Sequence, residues 1–224
     1  MNYRTKFDLI SYLSDHNTLP KEEECSIPSL KDLSAEQGIS ISKLREQLSV
    51  ARALGFVRVQ PKTGIRLLPY NFAPAVRRSL SYALSLDRHY FEDFSDLRRK
   101  IEANYWFEAV EKLEKQDYEK LQTLVKQAAK KLESFPPRLP HEEHRELHMT
   151  IFGKLDNVFV VGLLEAYWDA YEEVGYSQYT ELDYLKSVWA YHRKIVEAIV
   201  QGDFDTGYQM LLEHMKLLMD ISGN

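Results

Sequence analysis

The 224-residue chain has a single cysteine, Cys25. It can therefore close no internal disulfide, and a lone thiol fits a reducing compartment. No apolar run approaches the roughly 20 residues that a membrane-spanning helix needs. The first residues, MNYRTKFDLISYLSDH, lack the unbroken apolar centre and small-residue cleavage site of a secretory signal. A cytoplasmic protein without a membrane partner is expected. Missing too are a zinc-hydrolase H-E-x-x-H motif, a phosphate-binding glycine loop and a nucleophile constellation. HEEH at 141–144 has the wrong spacing, so an enzyme is not the expected reading. There is no internal repeat or low-complexity tract, and 44% hydrophobic with 28% charged residues is ordinary for a soluble globular chain.

What is present divides in two. Residues 1–70 carry ten Lys/Arg against eight Asp/Glu, whereas 71–224 carry 19 against 26, within a net charge of −5. The first part reads as three helices and a hairpin. TKFDLISYL is amphipathic. IPSLKDLSAEQG offers Ser29 and Asp32 at capping-box spacing and Gly38 as a stop. ISISKLREQLSVARALG has Ser40 as N-cap and Gly55 as its end. FVRVQ and IRLL flank PKTG, which gives a two-stranded hairpin. Two short helices, a tight turn and a hairpin make a winged helix-turn-helix, whose second helix enters the major groove of double-stranded DNA. Ser40, Ser42, Lys43 and Arg45 stand at the start of that helix, and Lys62, Thr63 and Gly64 at the hairpin tip. Hydroxyls and backbone N–H groups suit phosphate oxygens, and Arg or Lys suits the guanine edge.

The second part is helical almost throughout. Seven amphipathic segments fall at about 73–92, 94–114, 117–134, 141–155, 156–175, 182–201 and 204–222, broken by FPPRLP and by QGD at 201–203. The fold class is therefore mainly α: a winged helix-turn-helix over 1–70, then an antiparallel all-α bundle of about seven helices over 71–224. HEEHRELH at 141–148 places His144 and His148 four apart, on one helical face with Ile151 and Leu155. His192 falls in a row with Val188, Ile195 and Ile199, and His214 in a row with Gly207, Leu211 and Leu218. Four histidines on three helices thus occupy inward rows, where each buried ring needs a polar partner. One divalent cation satisfies several rings at once. His141, beside the proline break, is expected at the surface.

PSLKDLSAEQGISISKLREQLSVARALGFVRVQPKTGIRL, about residues 27–68, resembles the DNA-binding domain of the GntR family of bacterial transcription regulators. The resemblance implies DNA contacts at Lys31, Ser42, Lys43, Arg45 and the wing around Thr63 and Gly64. Ile41 and Lys31 stand where that family commonly has arginine. About residues 75–222 look like the FCD effector domain of the FadR subfamily, on three patches: Arg98 to Glu102, His144 to Asn157, and His192 to His214. In many such domains an Asp and three His bind Zn²⁺, Ni²⁺ or Mn²⁺, and a small carboxylate effector completes the coordination. The three His map onto His148, His192 and His214, and His144 stands at the Asp position. An all-imidazole set favours Zn or Ni. Arg98 is implied to meet the effector carboxylate, with a surface salt bridge as its plainer role. The expected protein is a homodimeric, nucleoid-associated repressor. Two alternatives stay open: the same fold without metal, binding an acyl-CoA or other larger ligand, and a metal-dependent hydrolase.

Overall fold

The computed structural model describes residues 8–16, 25–61, 64–174 and 182–222. The chain forms two compact units, Met1–Arg78 and Ser79–Asn224.

In the first unit, α1 (Leu9–Asp15) starts where the Asp8 carboxylate accepts from the Ser11 N–H at 3.0 Å. Next come the strand β1 (Cys25–Ile27), α2 (Leu30–Gln37) and α3 (Ile41–Ala53). The Ser29 hydroxyl caps α2 by accepting from the Asp32 N–H at 3.2 Å, and it donates to the Asp32 carboxylate at 2.7 Å. Ser40 caps α3 by accepting from the Lys43 N–H at 3.3 Å, which satisfies one of the donors that a helix start leaves open. The hairpin is β2 (Val57–Gln60) and β3 (Gly64–Leu67).

The sheet, however, has three strands in the order β1-β3-β2 rather than the two expected. β1 covers the other edge of β3 and pairs Ile27 with Ile65. Three residues, CSI, are too few to show an alternating pattern, so this strand left no sequence signal. Leu9, Leu13, Leu33, Leu44, Ala51, Val57, Ile65 and Leu67 form the core. Gly55 ends the α3 turn at φ +79°, and a Cβ there would meet Pro74 Cγ at 2.6 Å. Both the backbone conformation and the space demand glycine.

α4 (Ala73–Leu86) carries the chain onward, followed by α5 (Tyr90–Glu111), α6 (Lys115–Leu132), α7 (His141–Phe152), α8 (Val158–Val174), α9 (Leu182–Gln201) and α10 (Phe204–Ser222). The first of these stops short of the expected residue 92. The Asp87 carboxylate accepts from the His89 N–H at 2.9 Å, a local bond that competes with helix continuation. Glu114 and Asp117 form a capping box on α6, the Asn157 side chain accepts from Phe159 and Val160 N–H at α8, and Asp203 does so from Thr206 at α10.

The helices pack α9 on α10 and α6, α7 on α6, and α5 on α7, α8 and α10. Their shared core holds Trp106, Val110, Leu121, Leu147, Phe152, Leu164, Ile195, Ile199 and Leu211. A second cluster joins Leu80, Leu84 and Phe91 to Tyr167, Trp168 and Tyr171. Gly207 lets α10 approach α5 closely, since a Cβ there would meet Trp106 Cζ2 at 2.7 Å. Both the Trp106 and the Asn157 side chains then find partners: the indole N–H donates to the Phe204 carbonyl at 2.9 Å, and Asn157 Nδ2 donates to the Tyr105 hydroxyl at 3.1 Å.

Candidate functional site

The rows of period 3.6 on α7, α9 and α10 turn the four histidines toward one point. His144, His148, His192 and His214 each offer a ring nitrogen, and these atoms all lie within 4.8 Å of one another. The rings are between 0% and 6% exposed. An ion bound at about 2.0–2.1 Å holds its nitrogens roughly 3–4 Å apart, so the set needs only a small closure. One pair is already at that spacing, with His148 Nε2 and His192 Nε2 3.2 Å apart.

Burial holds all four imidazoles well below the usual histidine range, and neighbouring positive groups push the same way. They are therefore neutral, which is the form that ligates a metal. His144 Nε2, His192 Nδ1 and both nitrogens of His214 are buried with no hydrogen-bond partner. Buried polar atoms are seldom left so, and an ion among the rings would occupy the lone pairs. The donor set fits a borderline metal such as Zn²⁺ or Ni²⁺.

α5 supplies a second layer from below. Arg98 Nε donates to Glu102 Oε1 at 2.9 Å, with both side chains buried. The same carboxylate oxygen lies 3.1 Å from His148 Nδ1. An Nδ1–H directed at Glu102 leaves the Nε2 lone pair facing the other rings, the arrangement by which a carboxylate orients a metal-bound histidine. Arg98 Nη2 is 2.9 Å from Nδ1 and 3.0 Å from Nε2 of that ring. A nitrogen nearly equidistant from both would strike Cε1 if it lay in the plane, so it sits over the face. The guanidinium also lies 4.8 Å from the Trp168 ring and 5.0 Å from Tyr167. Burial alone would lower the Arg98 pKa, but Glu102 and Tyr167 together outweigh it and the net shift is upward. Burial raises the Glu102 pKa despite the opposing pull of Arg98.

Arg98, read as an effector contact with a surface salt bridge as its plainer role, is buried beside the histidines, and its ion pair with Glu102 is buried too. His141, expected at the surface, is instead buried at 5% exposure, with its ring 6.1 Å from Tyr171. The aromatic face of α8 covers the first turn of α7 there. Glu102 enters the sequence patterns only as the end of the Arg98 patch, where it looks like an ordinary i,i+4 partner of Arg98, and Trp168 carries no signal within the run VFVVGLLEAYW. Trp168 packs 4.8 Å from both His144 and His148.

On the first unit, Lys31, Ser40, Ser42 and Arg45 are exposed, Lys43 is half-buried, and Gly64 is exposed at φ +77°. Lys62 and Thr63 lie outside the described residues. The sheet register sets Arg58 directly opposite Arg66.

A winged-helix unit followed by an all-α unit with a buried imidazole cluster defines the class of this molecule. The FCD domain family model matches residues 93–217, and the chain belongs to that family. Its fold is that of solved GntR-family structures. A Streptococcus agalactiae GntR structure superposes with a TM-score of 0.66 at 15% identity, covering 94% of each chain. E. coli McbR/YncC gives 0.51 at 16% identity, covering 96% of this chain and 97% of that one. No curated protein matches in sequence. Among the described residues, no helix is long and apolar enough to cross a membrane.

Proposed function

We propose that this chain is a homodimeric transcription regulator, acting as a repressor, that binds double-stranded operator DNA and senses a small organic acid at a metal centre. The observation that carries the sensing half is the convergence of four neutral, buried imidazoles from three helices. His144, His148, His192 and His214 would hold the ion. When bound, the ion supplies a Lewis-acidic point for a carboxylate. Glu102 fixes the ring orientation of His148 through the 3.1 Å contact. Arg98, steadied by Glu102 beneath it, presents N–H groups and positive charge beside the same ring. Trp168 and Trp189 wall the cluster with apolar surface, at 4.8 and 6.1 Å from His144.

For DNA, the N-cap at Ser40 leaves the start of α3 open toward phosphate, with Ser42 and Arg45 exposed next to it. Arg58 and Arg66 add charge on the wing strands. Two copies match a pseudo-palindromic site, since protein two-fold symmetry must match that of the operator. The effector controls binding only by preferring one state of the dimer over the other.

Fluorescence anisotropy with the DNA upstream of the chain's own gene tests this reading. Affinity should fall steeply with salt, and Arg45→Ala should weaken it by about tenfold or more, as loss of a base or phosphate contact does. Binding that ignores salt, or that survives Arg45→Ala unchanged, would remove the DNA assignment.

A further inference from the structure

The charge balance around the histidines constrains what else the site takes. The four candidate ligands are all imidazoles, and none is a carboxylate. The flanking charges, Arg98 and Glu102, cancel in their own 2.9 Å pair. A divalent ion there would bring two positive charges into a place where every ring is at most 6% exposed, with no protein anion left to offset them. Buried net charge of that size is strongly disfavoured.

The hydrogen-bond inventory points the same way. Trp168 Nε1–H is a buried donor with no acceptor, and the Arg98 guanidinium lies 4.8 Å from that indole. Glu102 Oε2 is the opposite case, a buried acceptor with no donor; what a ligand must meet is the indole donor and the uncompensated charge of the ion.

Resting on the metal reading above, we infer that the ligand completing this site is a small organic dianion of the dicarboxylate class rather than a monocarboxylate. One carboxylate meets the ion. The other meets the Arg98 and Trp168 donors, so the ligand supplies the two negative charges that the side chains do not. His144 is the residue that sets this demand, because a carboxylate at its place would cancel one of the two charges.

The test uses the full chain, free of any histidine tag and loaded with Zn²⁺. Calorimetry compares succinate with butyrate, and glutarate with valerate, at constant ionic strength; each pair shares a chain length and differs by one carboxylate. The dianion of at least one pair should bind tighter by about tenfold or more. In His144→Asp, which should keep its zinc, that ratio should collapse toward one. Should that variant fail to fold, the wild-type ratio decides alone. Zinc uptake with no charge preference, including no binding of any of the four acids, overturns the inference and leaves the metal reading standing. Failure to take up zinc removes both.

Discussion

The two units handle polar side chains in opposite ways. Among the described residues, the winged-helix unit buries no polar side chain and keeps its candidate contacts, such as Ser42 and Arg45, on the outside. The helical unit buries its candidate site: Arg98, Glu102 and four histidines are each at most 6% exposed. Exposed contacts cost folding little, so affinity and stability are separable there. Buried ones tie ligand chemistry to the stability of the bundle. Substitutions should therefore act on different observables in the two units.

The largest effect should come from Glu102→Gln. It strands the Arg98 charge in the interior, which should cost about 3–5 kcal/mol in urea unfolding. The same change should weaken metal affinity by about 10- to 100-fold through loss of His148 orientation, read by competition with a chromophoric chelator. A stable variant with unchanged metal affinity would mean that Glu102 orients nothing.

Next in size is the metal itself. Zn²⁺ at 100 times its dissociation constant should stabilise the chain by about 2.7 kcal/mol, seen as a rise in Tm, and His192→Ala should abolish the rise. Gly207→Ala forces a Cβ to within 2.7 Å of the Trp106 ring, so a loss of about 1–3 kcal/mol is expected. Differential scanning calorimetry would measure it.

The pH dependence follows from the direction of the histidine shifts. Burial places the folded pKa of His144, His148, His192 and His214 well below the ordinary 6.5. Below that value the unfolded chain takes up protons that the folded one refuses. Stability of the metal-free protein is thus complete above about pH 6.5 and falls as pH drops toward the folded values, by up to about 1.4 kcal/mol per histidine per pH unit. Urea unfolding at pH 7.5 and 5.5 checks this, and equal stability at both would contradict neutral burial. The smallest stability effect belongs to Arg45→Ala, within about 0.5 kcal/mol, although DNA affinity should drop sharply. A large loss of stability there would break the contrast between the units.

Much of this organisation was legible from residue spacing. The helical rows through His144, His192 and His214 carried enough apolar neighbours to point inward, and caps such as Ser29 and Ser40 marked helix starts where the structure has them. Less visible was anything set by partners distant in sequence. Glu102 reads as the local mate of Arg98, and only the packing of α5 on α7 brings it to His148, 46 residues on. The burial of His141 depends likewise on α8, and β1 on its pairing with β3. Lys62 and Thr63, expected at the wing tip, fall outside the described residues.

The claim on which the sensing account depends is that these imidazoles share an ion. Mass-spectrometric metal analysis of untagged protein, purified without chelator and then equilibrated with Zn²⁺ and desalted, addresses it most directly. The account predicts about one ion per chain in the wild type and none in His192→Ala. A wild type that retains no metal after zinc exposure would contradict it.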